Sequence, residues 1–339
     1  MITLGLLLHS VLSACIIADS QDQLYIFGTS KGNFEFKENN WINLNHPSVT
    51  NLNSNLLNQC FLNQYESKGY FFVDNQIQQY DFKSKAWLNP ITTTGTIPKN
   101  LILDHDTLTF YGMLNNNMFF FNVPEHKDSN WIQQRQANFN HNDDMVFGFG
   151  QNHLFFLNDA SLQSGQARVF VIHYAYFQPE IQTYSGPKFP QTSGQAISIP
   201  KKDNTVPLSF AFIPNDFSSI YLINTEIGTN TTVQLPSPPI KDSRSKFVAR
   251  TDSLVQLTSD FEVFSLNLEN AGAGWLKLSN NGLNLKSTDA GNSPQGSGNN
   301  QSPSSVKNSA DVLKNGSGLV LSSILFMAPL LNTIFHTLI

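Results

Sequence analysis

The sequence predicts an all-β fold: a six-bladed β-propeller, with seven blades as the alternative, built from four-stranded antiparallel blades in a ring closed between its N- and C-terminal strands. Three observations predict it. Tryptophan recurs at Trp41, Trp87, Trp131 and Trp275, at intervals of 46, 44 and 144 residues, the last being three times 48. A repeat of about 40 to 50 residues made only of short strands is the sequence mark of a propeller. Short apolar runs alternate with Asn, Asp, Gly and Ser turns throughout residues 21–285. Phenylalanine is abundant, 27 in 339 residues, which suits packing between sheets.

The units follow in order. Unit one has runs at Leu24-Tyr25-Ile26-Phe27-Gly28, Asn33-Phe34-Glu35-Phe36 and Asn40-Trp41-Ile42-Asn43-Leu44, one strand short of a blade. Unit two has runs at residues 56–64, 69–73, 77–82 and 86–91, and unit three at 100–103, 107–112, 118–123 and 130–133. Unit four has runs at 145–150, 153–157, 168–174 and 180–184; unit five at 196–199, 208–213, 219–223 and 232–235; unit six at 246–249, 254–257, 261–266 and 275–278. One further run, Asn281-Gly282-Leu283-Asn284-Leu285, remains. It is expected to supply the missing inner strand of unit one and so close the ring, leaving no open edge.

The two ends read as targeting signals. Residues 3–18 are nearly all apolar, with small residues at Ser13, Ala14 and Ala18, as in a secretory signal peptide covering residues 1–18. Leu12-Ser13-Ala14-Cys15 also resembles a bacterial lipoprotein box, but no basic residue precedes it. Residues 286–318 are Ser-, Asn- and Gly-rich, too polar to bury surface against their ordering entropy, and read as a disordered stalk. Residues 319–339 are apolar with no Lys or Arg after them, unlike a single-pass span with its basic cytoplasmic flank. The triplet Asn308-Ser309-Ala310, a polar spacer and this tail match a GPI-attachment signal, with Asn308, Ser309 or Asn315 as attachment residues; a retained transmembrane tail is the alternative. Asn230, Asn300 and Asn315 open N-glycosylation sequons. Asn315 would be lost on attachment at Asn308 or Ser309. With Cys15 in the leader, Cys60 is the only mature cysteine, and no internal disulfide is expected.

The units resemble kelch-type propellers, the family that includes the galactose oxidase central domain. The resemblance is carried by Tyr25-Ile26-Phe27-Gly28, by Tyr80-Asp81-Phe82 followed by Trp87, and by Phe119-Phe120-Phe121-Asn122 followed by Trp131. The paired glycines usual after the second strand are reduced to Gly28-Thr29, Gly112-Met113 and Gly148-Phe149-Gly150, and units four and five lack the Trp. The resemblance implies Trp residues packed between neighbouring blades. It also prompts a copper-oxidase test, which needs a Tyr cross-linked to Cys, a second Tyr and two His. Cys60, His105, His153 and His173 form no such set, so no cofactor and no metal is expected.

A net charge of −5 without a basic stripe argues against nucleic acid. Glycoside hydrolysis would need two facing carboxylates. Asp104, Asp106, Asp143 and Asp144 are the candidates; Asp104 and Asp106 flank His105 in a turn, and Asp143-Asp144 precede the run from Met145, at a turn or strand end. No Gly-x-Ser-x-Gly, His-Glu-x-x-His or phosphate loop is present. The favoured reading is therefore a monomeric, GPI-anchored surface module that binds an extracellular protein or wall glycan. The rivals are a secreted carbohydrate-active hydrolase and a structural wall protein without a discrete ligand. The long loops of unit four, residues 158–167 and 186–195, with Tyr184 and Phe189, are the candidate ligand face.

Overall fold

Six antiparallel sheets follow one another along the chain, each cut from one continuous stretch. A computed structural model describes residues 14–283, apart from residues 48, 50–51, 54–55, 57–59, 124–129, 140–144, 204 and 227. Blade 1 holds β1 (Cys15–Ala18), β2 (Leu24–Thr29), β3 (Gly32–Lys37) and β4 (Asn40–Asn43). Blade 2 holds β5 (Cys60–Asn63), β6 (Lys68–Val73), β7 (Gln76–Asp81) and an outer edge split into β8 (Ala86–Trp87) and β9 (Ile91–Thr92). Blade 3 holds β10 (Leu101–Asp104), β11 (Thr109–Leu114), β12 (Asn117–Asn122) and β13 (Ile132–Gln136).

Blade 4 holds β14 (Phe147–Gly150), β15 (His153–Phe156), β16 (Gln166–Val171) and a second split edge, β17 (Tyr176–Phe177) and β18 (Gln182–Thr183). Blade 5 holds β19 (Gly194–Ser198), β20 (Ser209–Pro214), β21 (Ile220–Asn224) and β22 (Thr231–Leu235). Blade 6 holds β23 (Lys246–Ala249), β24 (Ser253–Leu257), β25 (Val263–Asn267) and β26 (Trp275–Lys277). The inner strands β1, β5, β10, β14, β19 and β23 neighbour one another in that order, and β23 returns to β1, which closes the six-bladed ring.

Turn chemistry enforces the hairpins. Glu38-Asn39, Asn115-Asn116 and Gln151-Asn152 each hold two successive residues at positive φ. That is the two-residue turn whose twist matches the flanking strands, and Asn tolerates it. Strands near the channel, such as β1, β2, β10 and β14, are buried on both faces and so lose the alternating pattern of a half-exposed strand. In β2, Leu24 and Ile26 pack toward blade 6, whereas Tyr25 and Phe27 pack toward blade 2.

The tryptophans occupy the seams between blades, as the resemblance implies. Trp41 fills the seam of blades 6 and 1, Trp87 that of 1 and 2, Trp131 that of 2 and 3, and Trp275 that of 5 and 6. The two seams without Trp are filled otherwise. Phe139 and Phe177 pack between blades 3 and 4, and Tyr184 and Phe189 between blades 4 and 5.

Two expectations are corrected. The fourth strand of blade 1 is β1, from the segment read as the end of a leader, and it pairs in full with β2. The run at 281–283 instead covers the outer edge of blade 1. The Trp41 amide donates to the Asn281 carbonyl at 2.8 Å, and the Trp41 indole N–H donates to the Ser279 carbonyl at 3.0 Å. Gly282 is required there: its φ is +90°, and a Cβ would stand 2.0 Å from the Trp41 carbonyl oxygen. The second correction is the disulfide Cys15–Cys60, which joins the inner strands of blades 1 and 2. Cys60 is therefore not a lone thiol. A leader running through Ala18 contains Cys15 and so hides the pairing in the sequence.

Candidate binding face

Polar residues gather where four of the inner strands start, forming a mouth. A cavity of about 170 Å³ lies at the starts of β10, β14, β19 and β23. Asn100, Ser193, Gln195, Asn215, Ser245 and Lys246 line it. Several of these are held by local bonds. Gln195 Nε2 donates to the Ser245 carbonyl at 3.0 Å, and the Asn215 amide to the Ser193 carbonyl at 2.9 Å. Asn100 Nδ2 donates to the Met145 carbonyl. Behind them Gln256 Nε2 donates to Ser245 Oγ at 2.9 Å and to the Ile240 carbonyl at 2.7 Å. Burial lowers the Lys246 pKa. Amides and hydroxyls that both donate and accept suit hydroxyl-rich or peptide ligands.

Below the mouth the channel is apolar. A cavity of about 150 Å³ is lined by Ile16, Leu62, Leu103, Ile197, Val248 and neighbours, and His105 lies at its far end. There Asp106 ties three blades together. Its Oδ1 accepts from Tyr65 Oη at 2.8 Å and its Oδ2 from Asn152 Nδ2 at 2.8 Å; Asn152 Nδ2 also lies 3.3 Å from His173 Nε2. Asp104 is buried, which raises its pKa; it accepts from Thr107 Oγ1 at 2.7 Å and from the Asp106 amide at 3.2 Å. Both carboxylates thus serve turn and seam geometry, and neither lines the polar mouth. Asp143 and Asp144 lie outside the described residues, just before Met145.

His105 is half-buried with its Nδ1 enclosed, and desolvation lowers its pKa from 6.5 to about 4. The folded state thus resists a proton that the unfolded chain accepts. The His105 contribution is intact above 6.5 and falls away as pH drops from 6.5 toward 4. The expected loss is about 2–3 kcal/mol. Denaturant unfolding of the wild type and of His105→Gln across that window checks it; the variant should show the shallower decline.

The proposed ligand-face aromatics are corrected. Tyr184 is 1 % and Phe189 is 0 % exposed, with ring centroids 5.7 Å apart, so they pack a seam and cannot meet a ligand. The two unit-four loops are laced together: the Gly165 amide donates to the Phe189 carbonyl at 2.9 Å, and Gln191 Nε2 donates to the Gln163 and Gln166 carbonyls at 3.0 Å each. Only the end of the second loop, Ser193 to Gln195, reaches the mouth. Asn230 sits in the turn before β22, its carbonyl accepting from the Ser185 amide at 2.9 Å. Asn300, Asn308, Ser309 and Asn315 lie outside the described residues.

His153 Nδ1 bonds to the Gln151 carbonyl. Among the described residues no group of three or more His, Cys, Asp or Glu could hold a metal ion, and no helix is long and apolar enough to cross a membrane. Ser193 and Gln195 lie in the second loop that the sequence singles out, whereas Asn100, Asn215, Ser245 and Lys246 do not, because single polar residues beside a strand look like any turn. The one signal is position: Asn100, Ser193, Ser245 and Lys246 stand at the starts of inner strands β10, β19 and β23, and Asn215 at the end of β20 beside them.

No protein-family model matches the chain, and no curated protein matches it. Among solved structures, that of Kluyveromyces lactis Hsv2p is similar at 11 % identity over 77 % of each chain, with a TM-score of 0.39.

Proposed function

We propose that this chain is a kelch-like propeller displayed at the cell surface through a lipid anchor, binding an extracellular protein or wall glycan at the polar mouth of its channel. The observation that carries the reading is the mouth itself, where Asn100, Ser193, Gln195, Asn215 and Ser245 present neutral hydrogen-bonding groups around one cavity. The aromatic pattern of the outer strands supports the kelch kind. A disulfide between inner strands suits an oxidising compartment, in keeping with secretion. The apolar tail and the small triplet before it support anchorage.

The test is full-length protein on a glycan array and in capture from wall extracts, beside the variant Gln195→Ala/Asn215→Ala. Loss of two polar contacts is expected to weaken binding about tenfold or more. Unchanged binding by the variant would move the site elsewhere. Hydrolysis of an array glycan, abolished by Asp143→Asn or Asp144→Asn, would replace binding with catalysis. Phospholipase treatment of intact cells reads the anchor: release with a glycolipid remnant at Asn308, Ser309 or Asn315 is expected, and retention with residues 319–339 intact would overturn it.

A further inference from the structure

The packing of β1 bears on where a cleaved leader would end. Strand β1 is the innermost strand of blade 1 and is buried along its length. All four of its residues pair with β2, from Cys15 opposite Phe27 to Ala18 opposite Leu24. It stands between β23 and β5 in the inner ring, and its first residue is bonded to Cys60. Ala14, immediately before it, is 1 % exposed and packs in the seam of blades 6 and 1. A cut after Ala18 would remove one of six inner strands, break the seam on both sides and leave Cys60 without its partner.

Resting on the secretory reading above, we infer that the leader is cleaved before Cys15, at the Ser13–Ala14 or the Ala14–Cys15 bond, so that β1 stays in the mature chain. A signal peptidase favours a small residue next to the bond and another two residues before it. Cleavage after Ser13, after Ala14 or after Ala18 meets the first need alike, and at the second position all three carry an aliphatic residue, Val11, Leu12 or Ile16. Packing decides among them, since only the two earlier bonds leave the ring whole. Hydrolysis of the bond adds one water, leaving a carboxylate on the leader and a new α-amine on Ala14 or Cys15. The same structure opposes lipid attachment at Cys15, whose sulfur is already bonded to Cys60 and whose side chain is buried.

Two experiments test it. Full-length protein secreted from its own leader is digested without reduction and its N-terminal peptide identified by mass spectrometry. A peptide starting at Ala14 or Cys15, linked through Cys15 to the Cys60 peptide, is expected. A start at Asp19 would overturn the inference and leave secretion standing. A start at Met1 would overturn the cleaved leader as well, and a lipid on Cys15 would replace the disulfide with an anchor. In parallel, chains starting at Ala14 and at Asp19 are placed behind one unrelated leader. The Asp19 chain is expected to be secreted about tenfold less; equal yield with an equal melting temperature would show β1 to be dispensable.

Discussion

Cys60→Ser is expected to lower stability by about 4 kcal/mol, the loss that chain entropy assigns to opening a loop of this size. The bond spans 45 residues and joins the inner strands of blades 1 and 2. Without it, the unfolded chain regains the conformations that the closed loop forbids. In a domain of this length the melting temperature should fall by roughly 10 °C. Cys15→Ser should cost about the same, and the double variant no more than either single one, because all three remove one bond. Thermal melts with and without reductant read the effect. Reductant should lower the wild-type transition to that of the variants and leave the variants unmoved. A wild-type melt indifferent to reductant would sink the prediction.

The repeat and the blade count were visible in the sequence because they rest on large side chains at regular spacing. Trp41, Trp87, Trp131 and Trp275 mark seams that demand a bulky ring, and the Asn-rich pairs mark turns that demand positive φ. The first strand was not visible, for a physical reason. An inner strand buried on both faces reads as an unbroken apolar run. Cys15-Ile16-Ile17-Ala18 therefore has the same signature as the end of a leader's apolar core. A leader that includes it takes away the partner of Cys60 and leaves the inner strand of blade 1 vacant for residues 281–285.

Tyr184 and Phe189 misled in the opposite direction. Their polar neighbours suggest an exposed loop, yet the seam of blades 4 and 5 has no Trp and takes these rings instead. Most of the mouth residues have no signature beyond their place beside a strand, and only Ser193 and Gln195 fall in a loop that the sequence singles out. The chemistry of the mouth depends on four blades meeting, and no stretch of sequence records that meeting.

Phe27→Ala is expected to cost about 4 kcal/mol, the range for emptying a buried aromatic site that cannot collapse. Phe27 is 0 % exposed and stands directly opposite Cys15 in the pairing of β1 with β2. Its ring lies 4.6 Å from that of Phe71, 5.2 Å from Tyr80 and 5.7 Å from Trp87, all in blade 2. These neighbours are themselves interlocked, with Tyr80 and Trp87 5.0 Å apart, so they cannot close over the gap. Phe27→Leu keeps much of the volume and should cost under about 1.5 kcal/mol. Denaturant unfolding of both variants separates the cavity from the chemistry of the ring. Equal losses for Leu and Ala would mean that aromatic contacts, not volume, hold the seam. Combined with Cys60→Ser, which bears on the same cluster through Phe71, the alanine change removes more than either alone and up to about 8 kcal/mol, comparable to the whole stability of an ordinary domain. Each single variant is then expected to fold at room temperature and the double variant to be unfolded, with the failure starting where blades 1 and 2 meet.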